Sequence, residues 1–187
     1  MANQKGGKTW QRDVVTGHQA MTTTGGGTWD AAFRLADFLE AEWSNLCDQQ
    51  VPNVLELGAG TGWLGMTLAR NVPCSVCLTE QANGGAMAWL QQNLAENAVQ
   101  LSGAASSVRT EELDWNAWEA GWPEKSELPQ PSEGTWDLLI GSDLIYSEVG
   151  VKYLPRVFKS FADAFGPITM LYCHTLHRFA WPLSGGK

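Results

Sequence analysis

The 187-residue chain is poor in positive charge, with 12 Lys and Arg against 20 Asp and Glu and a formal net charge of −8. Phosphate backbones are held by clustered Lys and Arg, so this deficit argues against nucleic acid as the main partner. The densest basic stretch, Lys5, Lys8 and Arg12, is too sparse to make a patch. No apolar run approaches the roughly 20 residues of a membrane span. The opening "MANQKGGKTWQRD" has no apolar core of the kind a secretory signal needs. The expectation is therefore no membrane partner and a cytoplasmic setting, with the nucleus as the alternative. Cysteine is scarce: Cys47, Cys74, Cys77 and Cys173 make no disulfide framework. Cys74 and Cys77 are a C-x-x-C by spacing, but "CSVCLTE" reads as a strand, where residues three apart face opposite ways. Two ordinary buried thiols are expected there. His18, His174 and His177 show no zinc spacing with a third ligand, so no metal is expected and His174 and His177 are read as structural or surface residues. There is no G-x-S-x-G nucleophile elbow, and no P-loop lysine follows the glycines.

What is present fits one globular domain: 44% of the residues are hydrophobic, enough for a sizeable core. Residues 1–27 are polar and glycine-rich and read as a flexible N-terminal arm; residues 28–187 read as the domain. "TWDAAFRLADFLEAEW" repeats Ala32, Leu35, Ala36, Leu39 and Trp43 at helical steps. Thr28 is the expected N-cap, with Asp30 in the first turn. Strand and helix then alternate. The strands are "VPNVLELG", "PCSVCLTE", a weaker one in "SGAASSVRTEELDW", the apolar "TWDLLIGSDLIY" and "PITMLYCHT". Between the third and fourth, "NAWEAGWPEKSELPQPSEG" reads as an exposed connection with room for a helical turn. The helix in "VGVKYLPRVFKSFADAF" must place Pro155 in its first turn or kink at it. This alternation predicts an α/β fold, a Rossmann-like doubly wound and mostly parallel sheet. Ligands of such sheets bind beyond the carboxyl ends of the strands.

The residues at that edge are the candidate site. "VLELGAGTGWLG" carries two glycine registers. Gly60-x-Gly62-x-x-Gly65 is a dinucleotide fingerprint, with Glu80 twenty positions after Gly60. Gly58-x-Gly60-x-Gly62 is a tight turn that begins where the apolar run ends, at Leu57. The second register is favoured, and the Tyr-x-x-x-Lys of many oxidoreductases is missing because position 150 is Gly. Glu80 can accept ribose hydroxyls. Asp114 and Trp115 can meet an adenine, one through its amine and the other by stacking. Asp143 and Tyr146, three apart after the fourth strand, can flank one amine. The negative charge suits a cationic substrate.

Together, "VLELGAGTGWLG", "LTE", "ELDW" and "WDLLIGSDLIY" resemble the seven-strand S-adenosylmethionine-dependent methyltransferases. Within them the chain is most similar to the family-16 protein-lysine methyltransferases. "GGTWDAAFRLADFL" resembles that family's G-x-x-x-W-x-A-A-x-x-L-A-x-x-L helix, and Asp143-Leu-Ile-Tyr146 its D-x-x-Y motif. The resemblance implies a class I methyltransferase fold, S-adenosyl-L-methionine as cofactor, and transfer to a lysine of a non-histone protein. It implies that Trp29, Glu56, Gly58, Ala59, Gly60, Gly62, Glu80, Asp114, Trp115 and Ser142 hold the cofactor. Asp143 and Tyr146 become the catalytic pair. The family continues through a further helix and two strands, so the last strands are expected to be missing here. The competing readings are a small-molecule methyltransferase, an inactive cofactor-binding remnant and, least favoured, an NAD-dependent oxidoreductase. A nucleic-acid amino-methyltransferase would want prolines in "SDLIY".

Overall fold

The expected alternation of strand and helix folds into one parallel sheet. The computed structural model describes residues 9–21, 24–47, 50–103 and 105–175. Among these the strands are β1 (Asn53–Leu57), β2 (Ser75–Glu80), β3 (Ser107–Glu112), β4 (Leu138–Ser142) and β5 (Thr169–Cys173). Their order is β3-β2-β1-β4-β5, and every neighbouring pair is parallel. The chain therefore winds outward from β1 in one direction, then returns to β4 and winds in the other. That reversal opens a crevice at the ends of β1 and β4.

The helices are α1 (Asp30–Leu46), α2 (Trp63–Asn71), α3 (Ala86–Glu96), the single turn α4 (Ala98–Leu101) and α5 (Glu148–Phe165). One face of the sheet, through Val54, Val76, Leu78, Leu138 and Ile140, packs against Leu35 and Leu39 of α1, Leu64 and Leu68 of α2, and Leu90 of α3. The other face, through Leu55, Leu57, Cys77 and Leu139, packs against Tyr153, Leu154, Val157 and Phe161 of α5. The spacing of those α5 residues is the three-four repeat of an amphipathic helix. Cys74 and Cys77 fall in the two opposite clusters, both buried and unbridged. Burial pushes the Cys77 thiol up to about 11, so it stays protonated.

Three local expectations change. The N-cap of α1 is Trp29, because the Thr28 hydroxyl is committed to Thr61 instead. Of the two alternatives for Pro155 the first turn is excluded, because Pro155 lies inside α5, which continues past it. The connection after β3 is not simply exposed. Trp118, Leu128 and Trp136 are buried in it, and the Trp118 indole donates to Ser160 Oγ on α5 at 2.9 Å. Those aromatics cover the face of the sheet that α5 leaves open. β3 is weak in hydrophobicity because it is an edge strand with half-exposed residues.

Residues 9–21, in the stretch expected to be a flexible arm, are held against the domain. Val14 is buried in the core. Asn97 receives the Val15 N–H on its Oδ1 and donates its Nδ2 to the Val15 carbonyl, at 2.9 and 2.8 Å. Arg12 bridges Asp37 and Glu40 of α1. A side-chain amide that pairs with both polar groups of one backbone residue replaces the sheet ladder this segment lacks.

Candidate functional site

The crevice is built on a backbone turn. After β1 the chain must reverse into α2 within a few residues, and it does so with Gly58, Gly60 and Gly62 all at positive φ (55°, 55° and 76°). Such angles strain any side chain. The turn is tied down by the Ala59 N–H to the Thr79 carbonyl and the Gly62 N–H to the Ala59 carbonyl, both 2.8 Å. Leu144 fills the space beside it. A Cβ at Gly58 would lie 2.8 Å from Leu144 Cδ2, and one at Gly141 would lie 2.5 Å from its Cδ1.

Four carboxylates line the cleft: Glu56, Glu80, Asp114 and Asp143. Glu56 is buried in β1 and accepts the Gly65 N–H at 2.8 Å, in the first turn of α2. Burial raises its carboxyl to about 8, with Glu80 adding to the rise and the Gly65 N–H opposing it. Glu80, at the end of β2, accepts the Gly60 N–H at 2.9 Å on one oxygen and the Gln81 N–H at 2.9 Å on the other. Burial raises its pKa as well, against those two hydrogen bonds. Asp114 caps the turn after β3 by accepting the Asn116 N–H at 2.9 Å. No Lys, Arg or His is found among the described residues that line the cleft.

Of the residues expected from the sequence, Trp29, Glu56, Gly58, Ala59, Gly60, Glu80, Asp114, Trp115, Ser142, Asp143 and Tyr146 all converge on this one cleft. Trp115 stands over the turn, with its ring 3.5 Å from where a Gly58 Cβ would be. Gly62 does not line the cleft. It is the residue before α2, and a Cβ there would lie 2.5 Å from Leu90 Cδ1. Gly65 is likewise a packing position, its missing Cβ leaving room for Leu78 and the Glu56 carboxylate. His174 sits beside Asp143 at the end of β5, and His177 lies outside the described residues.

Asp143 adopts φ +51°, the only non-glycine residue with positive φ among those described. It is buried, and its carboxylate points to the end of β5. Thr175 donates its N–H to Oδ1 at 2.7 Å and its hydroxyl to Oδ2 at 3.0 Å. Tyr146, by contrast, is 41% exposed at the cleft mouth. The sequence reading missed the roof: Thr24, Gly25 and Gly27 also line the cleft, with the Trp29 indole donating to the Thr24 carbonyl at 3.2 Å. The hydroxyls of Thr16, Thr28 and Thr61 form a chain at 3.1 and 2.7 Å that ties this roof to the glycine turn. The "TTTGGG" run was the available signal, since glycines permit close backbone approach.

The lysine methyltransferase family (methyltransferase family 16) matches residues 11–178. The chain is 33% identical over 120 residues to "Protein N-lysine methyltransferase METTL21A" of Danio rerio, covering 64% of this chain and 47% of that protein. It is 27% identical over 162 residues to "Protein-lysine N-methyltransferase EFM3" of Chaetomium thermophilum, covering 83% and 44%. The chain thus spans about half the length of these curated relatives. Among solved structures, a precorrin-6y C5,15-methyltransferase from Geobacter metallireducens superimposes with a TM-score of 0.51 at 12% identity, covering 86% of this chain and 70% of that one. That likeness is one of fold, a Rossmann-like class I methyltransferase sheet. With the family match extending from the N-terminal strap past β5, the chain belongs to the lysine methyltransferase family.

Proposed function

We propose that this chain is an S-adenosylmethionine-dependent methyltransferase acting on a lysine side chain of a protein. The observation that carries the reading is the sign of the cleft: four acids, of which Glu56 gains its charge only as pH climbs through about 8, and no basic side chain among its described lining residues. A dinucleotide brings a pyrophosphate, which such a lining repels. S-adenosylmethionine brings a sulfonium and an ammonium, which it attracts. The residues fit that group. The Gly58–Gly60 backbone is open to its methionine part, the second lone pairs of Glu80 to its ribose, and Trp115 with Asp114 to its adenine. Trp29, Glu56, Ala59 and Ser142 complete the enclosure. The relatives' names support the same reading.

The bound cofactor supplies an activated methyl group on sulfur. What remains for the protein is alignment and desolvation. A lysine must lose its proton to attack, and a cleft mouth walled by Tyr146 and Trp29 favours the neutral amine by excluding water. Tyr146 can hydrogen-bond that amine through its hydroxyl. A cytoplasmic, reducing setting belongs to the same proposal, with Cys74 and Cys77 as two buried thiols on opposite faces of the sheet.

Calorimetry of the chain with S-adenosylhomocysteine and with NAD tests the cofactor. Micromolar binding of the first alone is the expected result, and binding of NAD alone would sink the reading. Incubation with a cell lysate and labelled methyl donor should put the label on lysine. Label recovered only in small molecules would move the assignment to a small-molecule methyltransferase. Binding without transfer to anything would leave a cofactor-binding remnant.

A further inference from the structure

We propose that Tyr172, His174 and Thr175, at the end of β5, are positioning residues that fix the 143–146 turn through the Asp143 carboxylate. The proposal rests on reading the cleft as a methyl-transfer site, and it gives Asp143 a different task from its expected one. A carboxylate that flanks the incoming amine should present a lone pair to the cleft. Here the strongest contacts of both oxygens are to Thr175, which turns the carboxylate toward the end of β5, and only 5% of the residue is exposed.

The same corner is secured at three further points. The Asp143 N–H donates to the Cys173 carbonyl at 2.9 Å, extending the β4–β5 ladder by one bond. The Ile145 N–H donates to Tyr172 Oη at 3.2 Å. Tyr172 Oη lies 3.0 Å from His174 Nδ1, and that nitrogen is 3.4 Å from Asp143 Oδ1. The tyrosine and histidine rings stack with centroids 5.9 Å apart. Burial raises the Tyr172 phenol above its ordinary value, so it keeps its hydrogen while accepting the Ile145 N–H.

This amount of bonding has a reason in the backbone. Asp143 is held at φ +51°, which an L-residue adopts only at a cost. Glycine would remove the cost but would leave Thr175 without its acceptor. The left-handed residue turns the chain sharply after β4. Leu144 then drops between Gly58 and Gly141, and Tyr146 reaches the cleft mouth. The carboxylate holds the strained residue, and the residue aims the tyrosine. In this scheme Tyr146 touches the substrate and Asp143 acts through the turn.

Four variants of the full chain test this: Thr175→Val, Thr175→Ser, Tyr172→Phe and Asp143→Asn. Each is assayed for S-adenosylhomocysteine affinity, label transfer to lysate protein, and amide exchange at Ile145. Thr175→Val and Asp143→Asn should lower kcat about tenfold, the scale of one charge-assisted hydrogen bond, with cofactor affinity unchanged. Thr175→Ser should restore kcat. Tyr172→Phe should speed Ile145 exchange about tenfold with the rest of β4 still protected. Unchanged kcat in Thr175→Val, or a loss that serine does not rescue, overturns the proposal. So does a loss of kcat that merely tracks cofactor affinity and melting temperature. If the wild-type chain binds S-adenosylhomocysteine but labels nothing, the lysine reading fails by itself. Ile145 exchange in Thr175→Val and Tyr172→Phe then decides the anchor, acceleration supporting it and unchanged protection overturning it.

Discussion

Glu56 shows how one buried acid couples the cleft to stability. Its carboxyl is raised to about 8 from an ordinary 4.5, burial being the main cause. Between those values the unfolded chain releases a proton that the folded chain keeps. The unfolded state therefore binds fewer protons, and stability falls as pH rises, by up to about 1.4 kcal/mol per pH unit for one group. The contribution is fully present below about 4.5 and is lost as pH climbs through about 8. Glu80, raised by the same burial, adds a slope of the same sign. Urea midpoints should fall between pH 5.5 and pH 8. Glu56→Gln keeps an acceptor for the Gly65 N–H and has no proton to lose, so its slope should be shallower. An identical slope in Glu56→Gln would show that this carboxyl is not the source. Residue identity was readable at this scale where chemistry dictated it. Glu80 and Trp115, placed at strand ends by the hydrophobic pattern, both line the cleft. The partner of Asp143 was not readable, because Thr175 lies 32 residues away and only the β4–β5 pairing brings it near.

Among the elements, the β1–α2 junction is the most tightly constrained. Its three glycines do different jobs, which spacing alone could not separate. Gly60 needs its positive φ but has room, its nearest foreign atom being 3.5 Å from a Cβ. Gly62 needs both angle and space, since Leu90 is buried against it. Gly60→Ala should cost about 1–2 kcal/mol, the strain of one left-handed residue. Gly62→Ala should cost more, by a further 1–3 kcal/mol or so from overpacking. Equal urea midpoints for the two variants would refute the distinction. The N-terminal strap offers a second test. Asn97→Ala removes both bonds to Val15 and one to the Asn93 carbonyl, so Val15 amide exchange should rise while β1 stays protected. If Val15 exchange is unchanged, the strap is held by Val14 and Arg12 instead. The five strands were legible because hydrophobic runs and glycine stops mark them. The strap was not: its polar composition reads as loop, and it is ordered by side-chain amides and one buried valine. Thr28 misled for a related reason, since a hydroxyl before a helix suits an N-cap until tertiary structure supplies another partner.

At the scale of the whole molecule, charge and topology act together. The sheet reversal places the cleft at the ends of β1 and β4, and the chain carries a net charge of −8 around it. Nothing in the strand pattern required the cleft lining to share that sign, yet its described Asp, Glu, Lys, Arg and His residues are all acids, Glu56 gaining its charge only as pH climbs through about 8. A field of this kind draws in cationic segments before contact and weakens with salt, because the Debye length falls from about 10 Å at 0.1 M toward 3 Å at 1 M. Under the proposed function the target lysine approaches charged and reacts neutral. Steering should therefore act on encounter and leave the chemical step alone. For a lysine-bearing protein recovered from the labelling experiment, kcat/KM should fall several-fold between 50 and 300 mM NaCl while kcat holds. Neutralising two exposed acids next in sequence to cleft-lining residues, Asp30→Asn beside Trp29 and Glu148→Gln beside Val149, should flatten that dependence and lower kcat/KM at low salt. Salt-independent kcat/KM in the wild-type chain would remove electrostatic steering from the account. A fall confined to kcat would place the effect of salt inside the cleft rather than in the field around it.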